Sequence, residues 1–363
     1  MKDNNWFLRG FLLLAFVSQF LADHTFAQWS TNPGINNAIR TGFGRAERAG
    51  ITGDGFGGMI IVWEDNRVPT WCVYAQRIDA SGWVQWTING TPISGYDGDK
   101  TDPRIVTDGA GGAIIAWEDR TYNSHSIRAQ RVNAAGALQW PVSVAVSPRG
   151  RLLIGWPDPS VISDGSGGAI VTWWDAGALY AQCINGSGAI QWDSNGVAVS
   201  PVGYHPETMV SDGQGGALMV WGDYILGVYV QRISNSGIVE WGSNGTRIAR
   251  GGEYPSIVSD GFGGAIAAWE DYRNGNRDIY AQRINHSGAA LWDSNGVAAT
   301  KAVDHQYSPA LASDSKGGAI VVWYDTPGNP VTIQAQRISA SGGPPTDPPN
   351  WLRLKGGLSP TVK

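Results

Sequence analysis

The sequence predicts an all-β repeat fold, and three observations carry that prediction. One unit recurs six times along the 363 residues, so the chain reads as an array of similar pieces. Each copy holds a glycine-rich turn and then a short, nearly unbroken apolar run ending in Trp, the pattern of a strand buried on both faces. No stretch shows the period of about 3.6 residues that an amphipathic helix requires.

The clearest copy, residues 255–300, reads PSIVSDGFGGAIAAWEDYRNGNRDIYAQRINHSGAALWDSNGVAAT. Its first strand is expected over 256–259, and Asp260-Gly261-Phe262-Gly263-Gly264 makes a tight turn whose glycines accept positive φ. Residues 265–269 form the second strand, 279–284 the third after a polar loop, and 289–297 the fourth, with Trp292 and Asn295. The turn recurs at Asp54, Asp108, Asp164, Asp212 and Asp314. Its last glycines, Gly58, Gly112, Gly168, Gly216, Gly264 and Gly318, stand 48 to 56 residues apart. Four short strands at that spacing describe one blade of a β-propeller.

Six Trp end the second strand: Trp63, Trp117, Trp173, Trp221, Trp269 and Trp323. Trp86, Trp140, Trp192, Trp241 and Trp292 sit in the fourth. The sixth copy breaks after Arg337 into SASGGPPTDPP and never reaches its fourth strand. At the other end of the chain, Gln28-Trp29-Ser30-Thr31-Asn32 matches Gln191-Trp192-Asp193-Ser194-Asn195 in residue type and spacing. The expectation is therefore a six-bladed β-propeller of four-stranded blades over residues 28–341. Its ring would be closed by the N-terminal strand, which completes the last blade and removes two sheet edges.

The pattern DGxGGAIxxWED…IYAQRIN…G…W…NG resembles repeats of uncharacterised secreted bacterial propeller proteins, often followed by a C-terminal secretion-sorting domain. The resemblance covers residues 28 to about 341 and implies architecture and export, with no common activity. The turns are also distantly similar to the Asp-box turns of sialidase-like propellers. That box carries Thr-Trp directly after its Gly, whereas Trp here comes several residues later, so no sialidase residue is carried over. Residues 342–363 read as a Pro/Gly-rich linker or truncated tail.

Residues 1–27 read as a signal peptide. Lys2 and Arg9 lie ahead of an apolar run over 11–21, and Thr25-Phe26-Ala27 puts small residues at the cleavage positions. The mature chain is expected to start at Gln28 and to be secreted, in a bacterium to the periplasm, cell surface or medium. A net charge of −5 and the lack of any Lys/Arg run argue against nucleic-acid partners, and no membrane insertion is expected after cleavage. Cys72 and Cys183 fall in the first and third copies, too far apart in a ring for a disulfide.

A residue present in every blade answers a need that every blade has. Asp65, Asp119, Asp175, Asp223, Asp271 and Asp325, each two residues after the Trp, are therefore expected to stabilise the scaffold. The same holds for Arg77, Arg131, Arg232, Arg283 and Arg337 in the third strand. Antiparallel order puts the loops after the second strand and the connections between blades on one face, and the glycine turns on the other.

The blade-specific residues gather on the loop face. Tyr96, Trp156, Tyr204, Tyr254 and Tyr307, with His205, Glu253, Asp304 and His305, are the candidate ligand-binding residues. Rings beside polar groups suit a polysaccharide or cell-surface glycan, because pyranose C–H faces stack on rings while carboxylates and amides take the hydroxyls. One alternative is a propeller glycoside hydrolase or lyase in the same mouth, with Glu253, Asp304, Asp97 and Asp99 as available carboxylates. The other is a scaffold without a small-molecule ligand. No G-x-S-x-G, H-E-x-x-H or P-loop motif is present, so no catalytic residue is assigned and no cofactor or metal site is expected. Asp97, Asp99 and Asp102 open like a calcium loop but lack its later glycine and distal glutamate.

Overall fold

The computed structural model describes residues 29, 36–121, 125–147, 158–200, 208–223, 225–326 and 331–343. These fold into six antiparallel sheets taken in order along the chain. Sheet 1 holds β1 (Ala46–Gly53), β2 (Met59–Asp65), β3 (Cys72–Ile78) and β4 (Thr91–Pro92). Sheet 2 holds β5 (Asp99–Thr107), β6 (Ala113–Arg120), β7 (Ser126–Val132) and β8 (Val144–Ala145). Sheet 3 is β9 (Ser160–Ser163), β10 (Ala169–Asp175), β11 (Ala178–Ile184) and β12 (Val197–Ser200). Sheet 4 is β13 (Thr208–Ser211), β14 (Ala217–Asp223), β15 (Gly227–Ile233) and β16 (Thr246–Ala249). Sheet 5 is β17 (Glu253–Ser259), β18 (Ala265–Asp271), β19 (Asp278–Ile284) and β20 (Val297–Ala298). Sheet 6 has only three strands, β21 (His305–Ser313), β22 (Ala319–Thr326) and β23 (Thr332–Ile338). Among the described residues no helix is long and apolar enough to cross a membrane.

The second strand of each unit is apolar because both its faces are covered: every residue of β10 and β18 is buried. The glycine turn is held by its own aspartate. Asp260 Oδ1 accepts the amides of Phe262 at 2.8 Å and Gly264 at 2.9 Å, while its Oδ2 receives Arg283 at 2.8 Å. The third-strand arginine thus pairs with the turn aspartate, at the opposite end of the sheet from the aspartate after the Trp. The same pair forms at Asp54–Arg77, Asp108–Arg131, Asp212–Arg232 and Asp314–Arg337.

The fourth strand is shorter than the sequence pattern implies. Of residues 289–297, Ala290 makes one bridge to Ile284, and regular pairing resumes only at Val297. Between them the side chain of Gln282 replaces the ladder, accepting from Trp292 N–H and donating to Asp293 C=O, both at 2.9 Å. The chain leaves the sheet here so that Trp292 can reach the next one. Its Nε1 donates to Ala340 C=O at 2.9 Å, and a Cβ on Gly342 would lie 2.7 Å from the ring. Trp86, Trp140, Trp192 and Trp241 clasp the following sheet in the same way.

Neighbouring sheets share apolar cores. Ile60, Val62 and Val73 of sheet 1 meet Ile115 and Trp117 of sheet 2, and the pattern repeats to the last pair, where Ile266, Ala268 and Ile279 meet Val321 and Trp323. Cys72 and Cys183 are buried free thiols, and burial pushes Cys183 up to about 12.

Sheet 6 and sheet 1 share no such core among the described residues, and no sheet is closed. Tyr324 and Ile333 on the far face of sheet 6 are 50% and 73% exposed. Of the segment expected to close the ring on the edge of β23, Trp29 is described, and its Nε1 donates to Ala80 C=O of sheet 1 at 3.0 Å. Residues 30–35 lie outside the described residues, as do the expected signal peptide at 1–27 and the tail from 344 onward.

Candidate functional site

The loop face differs from sheet to sheet. Sheet 3 turns from β10 to β11 through Ala176 and Gly177 alone, at φ 52° and 81°, whereas sheet 5 runs from Asp271 to Asp278 through a full polar loop. That loop builds the site. Trp269 is fully buried, and its Nε1 donates to Asp271 Oδ2 at 3.0 Å. Asp271 Oδ1 accepts Arg273 N–H at 3.0 Å and Nε–H at 2.8 Å, and Arg273 Nη2 pairs with Oδ2. Burial pushes the Asp271 carboxyl up, but the hydrogen bonds from Arg273 and Trp269 outweigh it and leave the group below the usual carboxylate range. The guanidinium lies 3.8 Å from the Tyr280 ring centre, and Nη2 donates to Asn295 C=O at 2.8 Å.

Beside this network a pocket of about 350 Å³ opens between sheets 4 and 5, lined by Arg250, Gly251, Gly252, Asp271, Tyr272, Arg273 and Asn295. Gly252 is required there. It has φ 144°, and a Cβ would fall 2.3 Å from Trp269 Cδ1 and 2.7 Å from Val228 Cγ2. The connection from sheet 4 therefore lies flat on the Trp269 edge, and the space above it stays open.

Tyr272 joins the pocket to a second cluster. Arg277 lies 4.8 Å from the Tyr272 ring centre and 4.9 Å from that of Tyr307. Its Nη1 donates to Glu270 Oε2 at 2.7 Å, and its Nη2 is 3.6 Å from Glu253 Oε2. Glu253 and Glu270 face each other across β17 and β18. Glu270 Oε1 also accepts Ser308 N–H from sheet 6 at 2.8 Å. Burial raises the Glu270 carboxyl above its ordinary value, against the pull of the Ser308 amide and Arg277. His305 Nδ1 accepts Arg277 N–H at 3.1 Å, which makes Nδ1 an acceptor, and its ring tilts against Tyr307 with centres 5.9 Å apart.

The structure brings together Glu253, His305 and Tyr307 of the expected residues, around Arg277. Tyr254, in a bulge at φ 48°, is 53% exposed beside them. Asp304 contributes its backbone, with its C=O accepting from Asn276 and Gln306. Tyr96 is 55% exposed but belongs to the sheet 1 side, where its C=O accepts from Thr70 Oγ1 at 3.1 Å. Trp156, Tyr204 and His205 lie outside the described residues. Asp97, Asp99 and Asp102 point to different partners: Lys100 Nζ at 3.4 Å, Trp71 N–H at 2.9 Å, and Arg48. Among the described residues no three His, Cys, Asp or Glu gather as a metal site.

Sequence reasoning missed Arg250, Glu270, Tyr272, Arg273, Arg277 and Asn295, and it assigned Asp271 to the scaffold alone. The available signal was the loop YRNGNR after Trp269-Glu270-Asp271, which places one Tyr and two Arg where sheet 3 has two small residues.

No protein-family model matches the sequence, and no curated protein matches it. Among solved structures the chain is similar to a protein of unknown function from Dyadobacter fermentans DSM 18053, at 11% identity and TM-score 0.44, covering 82% of this chain and 95% of that one. It is similar to the exotype rhamnogalacturonan lyase YesX at 15% identity and TM-score 0.45, covering 84% and 57%. It is similar also to the Hadza microbial sialidase Hz136 at 14% identity and TM-score 0.42, covering 80% and 65%. No functional residue is carried over from any of them.

Proposed function

We propose that this is a secreted glycan-binding protein that holds its ligand on the loop face of sheets 4, 5 and 6. The observation that carries the reading is the open pocket of about 350 Å³ beside Tyr272, continued by the Arg277 and Tyr307 cluster. One ring, one carboxylate, one side-chain amide and guanidinium groups line a single concavity, and that set takes a pyranose by its C–H face and its hydroxyls. Exposed Tyr254 extends the surface toward a second sugar unit.

A glycoside hydrolase is the second reading, favoured by the raised Glu270 carboxyl opposite Glu253. Both Glu270 oxygens are already engaged, by Ser308 N–H and Arg277, and the guanidinium bridges the two carboxylates. Binding is therefore the better-supported reading.

The proposal includes export, with residues 1–27 removed, and closure of the six sheets into a six-bladed propeller. Three observations support closure. Trp29 clasps the sheet 1 turn as the five other Trp clasp theirs, and a Cβ on Gly82 would lie 3.4 Å from its ring. Ile39 packs against Trp63 and Tyr74 of sheet 1, as Ile248 from sheet 4 packs into the core of Trp269 and Tyr280. Gln336 is exposed, whereas its counterparts Gln76, Gln130, Gln182, Gln231 and Gln282 are buried, each accepting a Trp N–H. Closure as proposed would bring a Trp N–H of the N-terminal segment to Gln336, a bond that Gln336 does not make among the described residues.

A glycan array probed with the chain starting at Gln28 tests the function. Replacing Tyr254 and Tyr307 together by Ala is expected to weaken binding about tenfold or more, while Trp83→Ala on the turn face leaves it unchanged. Folded double variants that bind normally would put the ligand elsewhere.

A further inference from the structure

We infer that the pocket between sheets 4 and 5 selects a sugar unit bearing a carboxylate, a uronic acid or a related acidic pyranose. This rests on the glycan-binding reading and names the ligand class. The argument turns on Arg250. Arg273 is tied to Asp271, and Arg277 to Glu270 and Glu253. Arg250 lines the same pocket, is exposed, and has no hydrogen bond or ion pair among the described residues.

Sheet 1 shows the corresponding space filled by the chain's own residues. There Arg40 reaches the corresponding Asp65, with Nε to Oδ2 at 3.0 Å, and donates to the carbonyls of Gly42 at 2.9 Å and Gly44 at 3.1 Å. Thr41 N–H takes the Asn89 side-chain oxygen at 2.8 Å. In sheet 5, among the described residues, Asp271 receives no second arginine and the Asn295 side chain has no partner. Asp271 and Arg273 neutralise each other, so the pocket keeps the single positive charge of Arg250 in a chain whose net charge is −5.

A neutral sugar leaves that guanidinium to water. A carboxylate on the ring accepts its planar fork, which matches the spacing of the two carboxylate oxygens. The C–H face then lies on Tyr272, with Asp271 and Asn295 in reach of the hydroxyls. A sulfate ester shares the charge but not the planar match, and the experiment separates the two.

The test titrates the chain starting at Gln28 with uronic-acid oligosaccharides, their methyl esters and sulfated neutral oligosaccharides, by calorimetry at low and high salt. The expected result is binding of the free acids, at least tenfold weaker binding of the esters and sulfated forms, and weakening of the acids by salt. Arg250→Gln is expected to erase the preference for acid over ester with an unchanged melting temperature, whereas Tyr272→Ala weakens both. Equal binding of acid and ester, tighter binding of the sulfated forms, or a preference that survives Arg250→Gln overturns the inference and leaves glycan binding standing. Binding only to neutral glycans overturns it in the same way. No binding to any glycan overturns both.

Discussion

Sheets 1 and 5 carry nearly the same sequence around their second strands, MIIVWEDNR and AIAAWEDYR, and nearly the same polar network. In both, the Trp indole donates to the aspartate at 3.0 Å, an arginine two residues further on closes over that aspartate, and its guanidinium lies 4.0 Å or 3.8 Å from a Tyr ring. In both, the same arginine reaches the carbonyl of an Asn at positive φ, Asn89 or Asn295. The networks part company at what precedes them. Sheet 1 receives residues 36–44, whose Arg40 and Thr41 fill the space, and sheet 5 receives the short Arg250-Gly251-Gly252 connection, which leaves it open. The recurring residues hold the sheet in both places. The connection from outside the sheet decides whether a pocket exists.

The largest expected effect tests the plug. A chain beginning at Gly42 lacks Trp29, Ile39 and Arg40, and it should lose on the order of 5 kcal/mol through exposed apolar surface, the lost Arg40–Asp65 pair and, in the proposed closed ring, an uncovered sheet edge. Unfolding in denaturant measures it, and an unchanged midpoint would show that the N-terminal segment neither plugs sheet 1 nor closes the ring.

Glycines of the two connections come next. Gly252→Ala forces a Cβ to within 2.3 Å of Trp269 and should cost about 3 kcal/mol or more. Gly42→Ala, at φ 113° with open space around it, carries only the left-handed backbone cost of about 1–2 kcal/mol. Equal losses in thermal unfolding would mean that the Gly252 backbone does not rest on the indole as described.

The smallest effect sharpens the comparison most. Arg40→Ala should destabilise by about 1–3 kcal/mol because it strips hydrogen bonds from a buried carboxylate. Arg250→Ala should stay within about 0.5 kcal/mol, as for an exposed side chain with no partner. If both cost the same, Arg250 is structural, and the contrast between a filled and an open position fails.

The repeat, the turn chemistry and the apolar second strands were legible because each is a local rule. An aspartate that accepts amides two and four residues ahead, or glycines that take positive φ, needs no distant partner. The matching N-terminal Trp was legible for the same reason, as one more copy of a short pattern. What carried no sequence signal was convergence. Arg277 meets Glu253, Glu270 and Tyr307 only because β17, β18 and β21 pack side by side, and Arg250 shares a pocket with Asn295 across two sheets. The fourth strand was overread for a related reason, since its Trp serves the neighbouring sheet and a Gln side chain stands in for the ladder. The sequence by itself determined the unit, its strands and the face on which variation collects, because hydrophobic periodicity and turn conformation act between residues a few positions apart. Only the tertiary structure decided which of two nearly identical networks is filled and which is open, because that depends on a connection packed against the sheet from the unit before it.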